Sequence, residues 1–337
     1  MKPGLGARFA VVIGIFALVV AVGADGAAPA SPRLRVTLVL DSAWQVSPFE
    51  RSAREGLSRA VRNLAVDARV LVEGPKEPLQ PVLLSAARQR PDLIIAIPSL
   101  DRRAFDTAAQ RFPDTRFLAL DVPREVFQHR PQNVQGTVFR VEEPSYVAGY
   151  LAGLMEERRP GKDVVSSVGG VKVPPVDRFI AGYAAGARGA DRTITTLNDY
   201  TNDFLDAAKC KRAAREQIAR GSGVVFQVAG VCGFGALEAA KEQGVWGIGV
   251  DADQSGLGPH ILTSVVKRLD VATYSAIRSL VKGTFRTGGN TVFTLANGGV
   301  GLGKTSPKVP RAFVDRMNAV KRQIVFGKIR AIPTTVP

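Results

Sequence analysis

Short aliphatic runs and amphipathic helical stretches alternate almost without a break between residues 36 and 250, a pattern that few folds accept. Strand-like Val36–Leu40 leads into a helical stretch from Phe49 to Asn63. Strands over Ala68–Val72, Leu93–Ile97 and Phe117–Leu120 are then spaced by helices over Pro81–Arg88 and Arg103–Phe112. A second series follows Asn133–Phe139. Its helices cover Ser145–Met155, Asp177–Arg188, Asp206–Ala219 and Gly235–Gln243, and its strands cover Val164–Val168, Ile194–Leu197, Val224–Val228 and Val245–Val250. Repeated βαβ units make a parallel, doubly wound α/β sheet, because each helix carries the chain back to start the next strand at the same edge. No solenoid-length repeat is visible, and the chain is longer than one hydrophobic core usually serves, which predicts two Rossmann-like lobes.

Three of the apolar runs stop on an aspartate: Asp41, Asp121 and Asp251. Ligands of open α/β sheets bind beyond the carboxyl ends of the strands, so these carboxylates are expected to converge on one small polar molecule.

The first thirty residues read as a targeting segment. Lys2 and Arg8 precede an apolar run from Phe9 to Val22, and Ala28-Pro29-Ala30 offers a small-residue cleavage site, so residues 1–30 predict export, with an uncleaved anchor as the alternative. No cysteine follows the apolar run to accept a lipid, so the exported protein is expected to be free of a lipid anchor. The net charge of +15 comes from arginines scattered through helix-like segments such as Arg51–Arg59, with no interleaved aromatics. That distribution describes a solvated basic surface and not a nucleic-acid site.

Other chemistries fall away on inspection. Gly298-Gly-Val-Gly-Leu-Gly303-Lys304-Thr305 matches the phosphate-loop pattern, but Pro307 and Pro310 follow at once, where the motif requires a helix whose amides cradle phosphate. His129, His260 and two widely spaced cysteines give no zinc spacing, no Gly-x-Ser-x-Gly elbow occurs, and neither a cofactor nor catalysis is expected. Cys210 lies early in one helix and Cys232 just past the strand that this helix feeds. In a βαβ unit those points share a sheet edge, so an oxidising compartment predicts a disulfide.

A family resemblance rests on runs that occur in a fixed order. These are Ser47-Pro-Phe-Glu-Arg-Ser-Ala-Arg-Glu-Gly56, Asp121, Ser145-Tyr-Val-Ala-Gly149, Val168-Gly-Gly170, Arg178-Phe-Ile-Ala-Gly182, Ile248-Gly-Val-Asp251-Ala-Asp-Gln254, Thr263-Ser-Val-Val-Lys267-Arg-Leu-Asp270 and Gly298-Gly-Val-Gly-Leu302. Over about residues 33 to 332 the chain resembles the basic membrane protein family of solute-binding proteins of ATP-binding cassette transporters. The resemblance implies a type I periplasmic binding fold, with two lobes joined by three crossover strands. Lobe 1 would comprise residues 33–139 and 268–290, and lobe 2 residues 140–267 and 291–337. It also implies a monomer that delivers a nucleoside-like ligand to a membrane permease.

By the same resemblance, Phe49 and Phe204 would sandwich a purine, since aromatic faces suit a flat base. Asp251 and Lys267 would hold ribose, as an ionised carboxylate accepts from vicinal hydroxyls and an ammonium donates to oxygens. Asp121 would reach the base edge or close a network between the lobes, and Asp41 would support the loop carrying Phe49. Where the family has Asn, this chain has Glu50, and the family's glycine-rich loop reads Gly230-Val-Cys-Gly-Phe-Gly235, so the base it would prefer is open. A sugar or small-metabolite receptor and a sensory module on the same fold remain alternatives.

Overall fold

The computed structural model describes Met1 and residues 33–41, 47–74, 79–99, 101–161 and 163–336; the expected targeting segment lies outside the described residues. Arg33–Pro337 forms a unit of its own, which carries every element below. It begins with β1 (Leu34–Asp41), α1 (Pro48–Asn63), β2 (Val66–Glu73), α2 (Leu79–Arg88), β3 (Leu93–Ala96), α3 (Arg102–Arg111), β4 (Arg116–Ala119) and β5 (Val134–Phe139). Next come α4 (Glu142–Glu156), β6 (Val164–Gly169), α5 (Pro174–Ala190), β7 (Thr195–Tyr200), α6 (Ala207–Ala219), β8 (Val224–Val228), α7 (Gly233–Glu242), β9 (Trp246–Asp251) and β10 (Ile261–Lys267). The last elements are α8 (Leu269–Val281), β11 (Asn290–Phe293), β12 (Val300–Leu302) and α9 (Arg311–Val325).

Two six-stranded sheets result, ordered β11-β5-β4-β3-β1-β2 and β12-β10-β9-β8-β6-β7. All their strand pairs are parallel except β10 with β12. Central strand β3, Leu93-Ile-Ile-Ala96, is apolar throughout and fully buried, as a parallel strand covered on both faces must be. Packing of α4 on α5 depends on glycine. A Cβ at Gly149 would collide with the carbonyl of Tyr183, and one at Gly186 with the carbonyl of Tyr146, so the two helices touch backbone to backbone.

The chain crosses between the sheets three times, from β5 into α4, from β10 into α8, and from β11 into β12. Phe139 and Phe293, at the ends of the outgoing strands, stack with centroids 4.8 Å apart and planes 16° apart. Arg140 N donates to Phe293 O (2.8 Å), Arg268 N to Gly299 O (3.0 Å) and Leu295 N to Glu143 Oε2 (2.8 Å), which ties the three crossings into one hinge. Burial raises the Glu143 carboxyl above its ordinary range.

Several boundaries differ from the sequence reading. α5 begins at Pro174 and not near Asp177, because proline fits the first helical turn, where its missing N–H is not needed. β11 begins where lobe 2 was expected to resume, yet Asn290–Phe293 pair with Gly136–Phe139 of the first sheet. Within the phosphate-loop lookalike, Val300–Leu302 form a strand and no helix starts before Arg311, so Lys304 and Thr305 face no helix N-terminus.

Candidate functional site

A cavity of about 430 Å³ opens between the carboxyl ends of the two sheets. Its walls include Asp41, Phe49, Glu50 and Asp121 from the first sheet's side and Phe204, Gly230, Asp251 and Lys267 from the second's. Local backbone chemistry aims these groups. Asp121 and Asp251 both adopt left-handed backbone, with φ of 60° and 66°, so the chain turns sharply at the strand ends. Thr137 on β5 holds the first of these turns: its Oγ1 accepts from Asp121 N at 2.7 Å and donates to Ala119 O at 3.1 Å.

Lys267 sits at the centre of the charges. Its Nζ donates to Asp121 Oδ2 at 2.7 Å, and both side chains are nearly inaccessible, at 3% and 9%. The ammonium also lies 5.1 Å from the ring centre of Phe49, 5.0 Å from that of Phe179 and 5.9 Å from that of Phe139. Cations over aromatic faces are favoured most where water is excluded. Asp251 stands on the neighbouring strand, where its Cα pairs with that of Val266, and it remains open to the cavity. Burial pushes its carboxyl up to about 6, against the pull of Lys267 and with the help of Asp121.

Phe204 rests on the turn after β6. A Cβ at Gly170 would run into its ring, so this glycine is what admits an aromatic there; Gly169 does the same for the ring of Tyr200. Its carbonyl accepts from Cys232 N at 2.8 Å, and Cys232 is bridged to Cys210 with Cα atoms 5.5 Å apart. Both cysteines are fully buried. On the other wall, Glu50 is 4% exposed and its Oε1 accepts from Asp41 N at 3.1 Å, which joins the end of β1 to the helix that carries Phe49.

Comparison with known proteins agrees with this geometry. The family model described as "ABC transporter substrate-binding protein PnrA-like" matches residues 34–334. The chain belongs to that family. Basic membrane protein D of Borreliella burgdorferi is 30% identical over 273 residues, 79% of this chain and 78% of that protein. Basic membrane protein B of Borrelia garinii is 37% identical over 204 residues; that match takes in 59% of this chain and little more than half, 57%, of the relative. An ABC transporter solute-binding protein from Aeropyrum pernix superposes with a TM-score of 0.77 at 25% identity, covering 89% of this chain and 94% of that one. The two-sheet architecture is therefore the type I periplasmic binding fold.

In this substrate-binding protein the eight residues singled out from sequence all border one cavity. Lys267, expected beside Asp251 at a ribose, makes its direct bond to Asp121 across the two sheets and acts on Asp251 only through the field. Sequence reasoning passed over Phe139, Phe179, Thr137 and Arg178. Phe179 and Arg178 lay inside a recognised run, but nothing in it said that the start of α5 points into the cleft. Arg178 Nη1 donates to buried Glu142 Oε1 at 3.1 Å, so this part of the cavity wall is fastened to the hinge. Among the described residues no cluster of three or more histidines, cysteines or acids could hold a metal, and no helix is long and apolar enough to cross a membrane.

Proposed function

We propose that this protein captures a nucleoside-like ligand, a purine nucleoside in the first instance, between its lobes and delivers it to the permease of an ABC importer. It would act as a monomer outside the cytoplasmic membrane, without a cofactor and without turnover. The observation that carries the reading is the meeting of Phe49 and Phe204 with Asp251 and the Asp121–Lys267 pair in one cavity. Its volume falls in the range usual for small-molecule sites. Aromatic area serves a flat base, and a carboxylate beside an ammonium serves vicinal hydroxyls.

Ligand capture would close the lobes only through contacts that the open form lacks, and residues on both sides of the cleft supply them. Calorimetric titration with adenosine, guanosine, inosine, their free bases and ribose tests the assignment. Nucleosides should bind more tightly than either half alone. Ribose binding as tightly as a nucleoside would hand the site to a sugar receptor, and a permease that transports equally well without this protein would favour a sensory role.

A further inference from the structure

Although the arginines are scattered along the chain, nearly half of its net positive charge falls at its carboxyl end. Residues 304–337 carry eight lysines and arginines against one acid, Asp315, which is net +7 of the chain's +15 in about a tenth of its length. α9 buries Met317, Val320 and Ile324 and turns Arg311, Arg322 and Val325 outward. Its exposed cap residue Phe326 is 73% accessible, higher among the described residues than any other large apolar side chain except Met1. Arg322, Lys328 and Arg330, close to it in sequence, are exposed, and among the described residues none of the three makes an ion pair with a carboxylate. A cation in the last turn of a helix is accounted for by the helix dipole, which explains Arg322. Arg330 Nε donates to the Gly327 carbonyl just past the helix, but neither the dipole nor that bond explains Lys328 or a bare phenylalanine.

We infer that this tip is a docking surface for an anionic phospholipid membrane. Lysines and arginines would lie against the headgroup phosphates while Phe326, with Val325 beside it, enters the interface between headgroups and acyl chains. Charge complementarity selects an anionic surface, and the exposed ring selects one with an apolar layer beneath the charge. Both cysteines of the sequence are locked in the disulfide, so neither can carry an acyl chain. Reversible adsorption through the tip would hold the protein near the membrane, where a soluble ligand carrier hands over its cargo, and would leave the cleft free to open.

The test is co-sedimentation of the Arg33–Pro337 unit with vesicles, which removes any contribution of the apolar amino-terminal run. Vesicles of pure phosphatidylcholine are compared with vesicles containing about one-third phosphatidylglycerol, from low to high salt. Partition onto the anionic vesicles should exceed that onto the neutral ones by about tenfold at low salt and fall away as salt screens the charges. Arg322→Glu with Lys328→Glu and Arg330→Glu should erase the preference. Phe326→Ser should weaken anionic binding several-fold while leaving its salt dependence. An unchanged melting temperature shows that each variant is folded, and the single Lys328→Gln exchange keeps the test available if the triple variant is not. Equal partition onto both vesicle types overturns the proposal. So does binding to soluble polyglutamate as tight as to vesicles and indifferent to Phe326→Ser, which would assign the tip to an acidic protein.

Discussion

Asp251→Asn should make the empty protein more stable at neutral pH while it removes ligand binding. The carboxyl is held at about 6 in the folded chain, against 3.8 for the free side chain, so the fold disfavours its ionised form. A raised carboxyl contributes stability that is complete below the unfolded value and is lost as pH rises through the folded one. At 1.36 kcal/mol per unit, the loss approaches about 3 kcal/mol at pH 8 and is only about 1 kcal/mol at pH 4.5. Asparagine keeps the shape, tolerates the left-handed φ of 66° and never ionises, so it escapes the loss. Urea unfolding followed through Trp246, at the start of the same strand, should therefore show the variant ahead by about 2 to 3 kcal/mol at pH 8 and the two proteins converging toward pH 4. A variant equal to or weaker than the parent at pH 8 would refute the argument that burial dominates at this carboxylate. Binding should run the other way. If ligand hydroxyls donate to the ionised form, affinity of the parent should fall by about tenfold between pH 7 and pH 5, and the variant should bind weakly at both.

Phe204→Ala should leave the protein folded and weaken nucleoside binding by about 1 to 3 kcal/mol, as measured by calorimetry; unchanged affinity would remove stacking from the site. Replacing Cys210 and Cys232 by serine should cost about 3 kcal/mol of stability and also weaken binding, because the bridge holds the backbone that carries Phe204; equal affinity in the bridged and unbridged proteins would confine its role to stability. Glu156, the buried last residue of α4, raised by desolvation to about 7, also loses stability as pH rises through that value. Glu156→Gln should therefore stabilise the protein at pH 8.5 by up to about 3 kcal/mol and make little difference at pH 4, read from urea midpoints.

How far the sequence could be read depended on whether a residue's role is local. Strand and helix alternation is local, and so is an aspartate that stops an apolar run; Asp41 and Asp251 do end their strands, and Asp121 lies in the turn after β4. The glycine pair at 169 and 170 was visible as a motif, but its reason was not, because the rings that need the space, Tyr200 and Phe204, arrive about thirty residues later. β11 and β12, of four and three residues, carry no pattern of their own and exist because β5 and β10 offer partners. β7 was visible only at its start, since an edge strand with exposed Thr195, Asn198 and Asp199 need not look apolar.

The bond between Lys267 and Asp121 follows from the same distinction and bears on mechanism. Sequence places Lys267 and Asp251 close together because their strands are consecutive, whereas its bond to Asp121 spans 146 residues and joins the two sheets. Lys267 is the last residue of β10, immediately before a crossing, so the bond lies near the pivot, where lobe rotation displaces atoms least. A buried ion pair there is suited to fixing the hinge while its members still border the cavity, since separating its partners would leave a charge stranded in the interior. Asp251, raised by burial and open to the cavity, is then the carboxylate whose ionisation a ligand's hydroxyls can stabilise. Division of labour between the two aspartates makes a specific demand. Asp121→Asn should change how readily the lobes separate, seen by small-angle scattering of the empty protein, whereas Asp251→Asn should leave that equilibrium intact and act on affinity. Identical effects of the two substitutions on both measurements would mean that the three charged groups act as one network.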